Sequence, residues 1–280
     1  MKIALAVLNF FQHTFIAVWS MFWISLAAVL SLVTFNRELP LVMARRCWAG
    51  GIWRITGSRL RVEPLPDIDW STPHVFVMNH QSMMDIPCAF ETIPANIRFV
   101  AKHSLKYVPF LGWFMSLTKM IFINRSNRRA AVRSLREAGQ RIREGANILA
   151  FPEGTRSPDG KILPFKKGPF VLALESGVPI IPVAIDGTGK VLSRHGLSLR
   201  PAEIRMKLGM PISTRDRSPR ERESLLFEVR DALIQLHLEI GGAGGDAEAV
   251  AAVGREGRSL PTPPASAGPS HPALVGDQAP

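Results

Sequence analysis

From Ile3 to Phe35 the chain carries no Asp, Glu, Lys or Arg. As one helix this run would measure about 50 Å, against a bilayer hydrocarbon core of about 30 Å. Two arrangements fit. Either residues 15–35 span a membrane and the start lies in the interface, or the run bends at Gln12-His13-Thr14 and dips in as a helical pair. A cleaved signal peptide fits poorly: only Lys2 precedes the run, and no small-residue cleavage site closes it. Arg37, Arg45 and Arg46 follow, so the positive-inside bias puts the rest of the chain on the cytoplasmic side. Residues 39–57 then mix Trp48, Ile52, Trp53 and Ile55 with Arg45, Arg46 and Arg54, as an interfacial helix or an ordinary core helix would.

Beyond Pro64 and Pro66, short apolar runs alternate with stretches of helical period. The runs at 74–78, 97–101, 120–123, 147–151, 180–186 and 203–208 predict strands. Residues 127–144 predict a helix with Ala131, Leu135, Ala138 and Ile142 on one stripe and Gly145 as its stop. Residues 169–176 open on Pro169 and end before Gly177. Residues 218–240 align Leu225, Val229, Ala232, Leu236 and Ile240. This alternation predicts an α/β fold: a mixed, largely parallel sheet flanked by helices, with an N-terminal helical membrane anchor. The expected division is an anchor at 1–60, a globular domain at 61–240 and a disordered tail at 241–280, where Gly, Ala, Pro and Ser dominate.

Composition sharpens this. Mean hydropathy is +0.11 over 280 residues, and the excess sits in the N-terminal run. Net charge is +11 with a pI near 10.5, which favours anionic partners. No basic segment is interleaved with aromatics and only one Tyr is present, so nucleic acid is not expected. Cys47 and Cys88 have no spacing for a disulfide framework or a zinc site.

The candidate chemistry lies at strand ends. Asn79-His80-Gln81-Ser82-Met83-Met84-Asp85 follows the run Val75–Met78. Five residues of regular helix would leave His80 and Asp85 about 140° apart. Pro87, comfortable only near a first turn, instead places the helix start near 83–85. His80 then sits in the preceding turn, free to fold back on Asp85. Ser82 or Asp85 acting merely as a helix cap is the plainer alternative. Lys102, Arg125 and Glu153 likewise follow apolar runs. In Phe151-Pro152-Glu153-Gly154-Thr155-Arg156, Gly154 permits a tight turn and Arg156 offers a fork for phosphate. The ends of parallel strands lie together, so these side chains are expected to converge.

Four stretches in this order resemble the blocks of the glycerolipid acyltransferases: Asn79-His80-x-x-x-x-Asp85, Ile121-Phe122-Ile123-x-Arg125, Phe151-Pro152-Glu153-Gly154-Thr155-Arg156 and Val178-Pro179-Ile180-x-Pro182. They are most similar to those of the 1-acylglycerol-3-phosphate acyltransferases. The chain departs from the common pattern at His103-Ser104, Lys119 and Asn124, near the expected head-group side. The resemblance implies acyl transfer from an acyl thioester to the sn-2 hydroxyl of a lysophospholipid, with His80 as general base and Asp85 orienting it. It implies that Lys102, Arg125, Glu153, Gly154, Thr155 and Arg156 bind substrate. It implies no metal and no cofactor, only acyl-CoA or acyl carrier protein as co-substrate, and a place on the cytoplasmic face of the inner membrane. Another lysophospholipid or a lyso-aminolipid as acceptor, or water in a His-Asp thioesterase or lipid hydrolase, are the alternatives. No Gly-x-Ser-x-Gly elbow is present for a serine-based hydrolase.

Overall fold

The computed structural model describes residues 2–124 and 128–245. Helix α1, Lys2–Thr34, is unbroken. It is followed by α2 (Leu39–Met43), a π-helical turn at Ala44–Trp48 and α3 (Ala49–Arg54). The bend at Gln12-His13-Thr14, one of the two arrangements considered, is absent. Gln12 and His13 instead face the domain, as does Asn9. Asn9 donates to the Leu199 carbonyl and accepts the Leu199 N–H, both at 3.0 Å. Gln12 donates to Ile55 O at 3.0 Å, and His13 Nε2 lies 2.6 Å from Leu197 O. Docked to the domain, these polar side chains find partners without breaking the helix.

The sheet follows as β1 (Arg59–Val62), β2 (Val75–Met78), α4 (Asp85–Thr92), β3 (Ile97–Lys102), α5 (Leu111–Leu117), β4 (Ile121–Ile123) and α6 (Arg128–Arg143). Then come β5 (Asn147–Ala150), α7 (Gly168–Ser176), β6 (Ile180–Asp186), the short α8 (Thr188–Val191), β7 (Glu203–Leu208) and α9 (Arg222–Glu239). Strand order is β1-β7-β6-β2-β5-β3-β4. Every pairing is parallel except β6 with β7. The expected mixed, largely parallel sheet with flanking helices is what forms.

Strand β1 escaped the sequence reading. It is a short edge strand whose Arg59 and Arg61 guard an open edge, and it buries little. It also crosses the expected 60/61 boundary. Leu41, Ala44, Ile52 and Trp53 share one core with Phe76 and Met78, so the N-terminal helices are built into the domain. At the other end, Gly244 and Gly245 pack beside Ile162, so the ordered chain runs past residue 241; residues 246–280 lie outside the described part.

Strand β2 is buried on both faces, as a central parallel strand must be. Phe76 and Met78 pack with α4 residues Cys88, Ala89 and Phe90. Val75 and Val77 pack on the opposite face with α7 residues Phe170 and Leu172. The helices that follow neighbouring strands β2 and β5 therefore leave toward opposite faces. A crevice opens between them at the carboxyl ends of the strands, where open α/β sheets bind ligands.

Gly187 links β6 to α8 with φ +92°, and a Cβ there would meet Glu203 O at 2.1 Å. Gly187→Ala combines forbidden φ with a backbone clash. It is expected to cost about 2–3 kcal/mol and to lower Tm on the order of 5–10 °C by thermal unfolding.

Candidate active site

Asp85 is the first residue of α4 and is fully buried. Its Oδ2 accepts from His80 Nδ1 at 2.6 Å, Gln81 N–H at 2.7 Å and Ser82 N–H at 3.0 Å. Its Oδ1 accepts from Thr188 Oγ1 at 2.5 Å. Four donors therefore surround one carboxylate that has no water to fall back on. Such a charge is tolerated inside a protein only when it is bonded this fully. The turn between β2 and α4 wraps around it, and His80 folds back onto it as expected.

With Nδ1 committed to a carboxylate, the neutral ring carries its proton there and leaves Nε2 as an acceptor. The imidazole stacks on Phe151, with centroids 3.9 Å apart and planes 17° apart. Its main chain is held by the turn after β5. His80 N–H donates to Glu153 Oε1 at 2.8 Å, and Ser157 N–H donates to His80 O at 2.7 Å. Two motifs separated by about seventy residues thus form one unit.

Glu153 is buried, and its second oxygen accepts the Leu163 N–H at 3.1 Å. Both oxygens face backbone donors and the side chain does not line the cavity. The bonds of this carboxyl are thus to the main chain rather than toward the cavity, where the resemblance implied a substrate contact. Burial pushes its pKa up to about 8; bonds from the His80 and Leu163 N–H groups oppose this and lose. Gly154 supplies the turn with φ +69°. Gly154, Thr155 and Arg156 line the cavity, as do His80 and Lys102. Arg125 lies outside the described residues.

This cavity has a volume of about 1240 Å³ and is walled by side chains from α1, α2, the π turn, α4 and α5, including Ile16, Met43, Trp48, Phe90 and Phe114. It is largely apolar, with Lys102, Arg156 and Lys166 among its cations. Lys167, the next residue, pairs with Glu223 at 2.5 Å. The Cys88 thiol is pushed well up by burial, with Asp85 and Glu91 adding to it, which removes it as a nucleophile.

Sequence reasoning missed three partners. Thr188 reaches Asp85 from across the sheet, and the Gly187-Thr188 pair carries no recognisable signature. Gln81 Nε2 donates to Asp186 Oδ1 at 3.1 Å. Fully buried His237, on α9, accepts the Gly244 N–H at Nδ1 and places Nε2 3.6 Å from Asp186 Oδ1. The N–H groups leading into α4 are already engaged: Gln81 and Ser82 donate to Asp85, and Met84 donates to Ser82 Oγ.

Glu153 gives a test of this geometry. Its folded pKa of about 8 exceeds the ordinary 4.5, so the folded state holds this proton more tightly than the unfolded chain. The contribution is complete below the unfolded value and is lost as pH rises toward 8. Wild-type stability should decline from pH 5 to 8 more steeply than that of Glu153→Gln, by urea unfolding at each pH. Parallel curves would contradict this.

The acyltransferase family model, described as Acyltransferase, matches residues 59–186, which hold His80, Asp85 and the 153–156 turn. The chain is 34% identical over 235 residues to an uncharacterized acyltransferase of Schizosaccharomyces pombe, covering 83% of this chain and 84% of that one. It is 33% identical over 220 residues to the 1-acyl-sn-glycerol-3-phosphate acyltransferase of Saccharomyces cerevisiae, covering 77% and 72%. The crystal structure of the 1-acyl-sn-glycerophosphate (LPA) acyltransferase PlsC from Thermotoga maritima superposes with a TM-score of 0.74 at 29% identity, covering 84% of this chain and 96% of that one. A His-Asp pair at the sheet's crevice, matched blocks and a shared fold together show that the chain belongs to the acyltransferase family.

Proposed function

We propose that the protein transfers a fatty acyl group from acyl-CoA or acyl carrier protein to the sn-2 hydroxyl of 1-acylglycerol-3-phosphate, giving phosphatidic acid. The observation that carries this is His80, tied through Nδ1 to buried Asp85, opening onto a large apolar cavity edged by cations. The volume exceeds that of ordinary small-molecule pockets and suits a long hydrocarbon chain. Lys102 and Arg156 supply charge for the acceptor's phosphate.

In this mechanism His80 Nε2 takes the proton of the acceptor hydroxyl as its oxygen attacks the thioester carbonyl. Asp85 favours the imidazolium that forms. The tetrahedral adduct collapses, the C–S bond breaks, and the thiolate leaves with the proton returned by His80. The products are an ester and a free thiol, and no protein nucleophile or cofactor takes part. Glu153 acts as a positioning residue that fixes the His80 main chain.

The acceptor and product are membrane lipids. Among the described residues α1 is the one helix long and apolar enough to cross a bilayer. Its contacts with the domain extend from Asn9 to beyond Trp19, while Phe10, Phe11, Val18, Phe22 and Val29 stay exposed. A helix docked along the domain in this way presents one apolar side to the interface. We therefore favour α1 lying in the membrane surface over a transverse span, with the domain on the cytoplasmic face of the inner membrane.

His80→Ala should reduce acyl transfer from a labelled acyl thioester to lysophosphatidic acid by about 10²–10⁴-fold. Free fatty acid as the sole wild-type product would instead indicate a hydrolase, and undiminished transfer by the variant would exclude His80 as the base. Thr188→Val should lower kcat about tenfold or more with little change in acceptor KM, because it loosens Asp85 without touching substrate. Arg156→Ala should mainly raise acceptor KM; an unchanged KM and kcat would remove Arg156 from the phosphate site.

A further inference from the structure

A second cavity, of about 570 Å³, lies toward the opposite ends of the strands, beside the starts of β3 and β5. Four cations line it: Arg45 from the π turn, Arg98, Lys119 and Arg141. Two carboxylates, Glu38 and Glu144, also line it, and both are engaged. Glu38 pairs with buried Arg98 and accepts from Asn96, while Glu144 accepts from Gln140. Arg98 Nε also donates to Thr118 O at 3.1 Å, and Arg141 donates to the Lys119 and Met120 carbonyls.

Arg45 is different. Its Nε is buried with no hydrogen-bond partner. Neither Arg45 nor Lys119 has a carboxylate partner among the described residues. Asn147 Oδ1 is taken by the His74 N–H, so its amide NH₂ is the group it can offer the cavity. Buried guanidinium donors without an acceptor are costly, and an anion is the group that satisfies them. Burial also holds Arg45 below the usual guanidinium range, with the Arg46 charge adding to it. Arg141 is lowered by burial, against the opposing pull of Glu137 and Glu144, with Arg98 adding to the lowering.

We propose that this cavity is a phosphate-binding site, separate from the catalytic crevice, whose ligand is the phosphodiester of an anionic glycerophospholipid held by Arg45 and Lys119. Its position favours a lipid. The exposed apolar face of α1 continues through Leu32, Val33 and Phe35, three residues before Glu38. On the membrane-surface placement of α1 proposed above, the head-group layer borders this cavity. The site also backs onto the catalytic cavity: Met43, Ala44 and Met120 line that one, while their neighbours Val42, Arg45 and Lys119 line this one. A bound phosphate would brace a wall shared with the acyl cavity.

The test uses full-length His80→Ala protein, which suppresses turnover and keeps the outcome independent of the catalytic assignment. Thermal unfolding is compared in nanodiscs of phosphatidylcholine, of phosphatidylcholine with phosphatidylglycerol, and of phosphatidylcholine with added inorganic phosphate. Phosphatidylglycerol should raise Tm progressively as its share of the bilayer increases. Arg45→Gln with Lys119→Gln should weaken apparent affinity about tenfold, and Lys119→Gln alone about threefold. Arg37→Gln with Arg46→Gln removes the same charge from exposed positions outside the cavity and should weaken it less than the cavity pair does. A shift given by inorganic phosphate alone, and lost in the cavity variants, supports the phosphate site with a soluble source. Equal losses in the two double variants would reduce the effect to general surface attraction and overturn the proposal, as would no shift from either anion. The Lys119→Gln single variant, which alters only an exposed ammonium, guards against misreading a folding defect at Arg45.

Discussion

The carboxylate of Asp85 is the constraint on which the rest depends. It is wholly buried, and four donors converge on it from the preceding turn, from His80 and from Thr188 across the sheet. Removing any one leaves a buried charge short of a partner, which is far more costly than losing an exposed bond. The turn at 80–84, the start of α4 and the orientation of the imidazole are thus one cooperative arrangement. The same bonds that stabilise the local fold also select the ring tautomer.

The sheet makes this arrangement useful. Strands β2 and β5 are neighbours, yet α4 and α7 depart to opposite faces. The gap left between them admits a ligand beside His80. The 153–157 turn then fixes the His80 backbone from both sides, and Phe151 supports the ring. The N-terminal helices complete the cavity with apolar walls. Their core residues merge with those of the sheet, so the N-terminal helices are also part of the active-site enclosure.

Much of this was legible because the signals were local. The apolar runs of β2 to β7 announced parallel strands, and Pro87 placed the start of α4 within a residue or two. Folding back of His80 onto Asp85 followed from that placement. What stayed hidden depends on contacts between distant segments. Thr188 meets Asp85 because β6 lies beside β2, and nothing in its own neighbourhood in the chain marks it. The resemblance implied that Glu153 binds substrate, yet backbone donors from residues 80 and 163 capture it. The unbroken course of α1 was equally unreadable, since the partners of Asn9, Gln12 and His13 lie on the domain and the apolar run alone does not reveal them.

The central claim is that Asp85 holds the His80 proton at Nδ1 and leaves Nε2 free to accept one. Nitrogen-15 NMR of the histidine-labelled protein, with His80→Asn used to assign the signal, reads this directly. The account predicts, at a pH where the ring is neutral, a protonated Nδ1 and an unprotonated Nε2, with that preference lost in Asp85→Asn. A neutral His80 carrying its proton on Nε2, or a signal indifferent to Asp85→Asn, would contradict it.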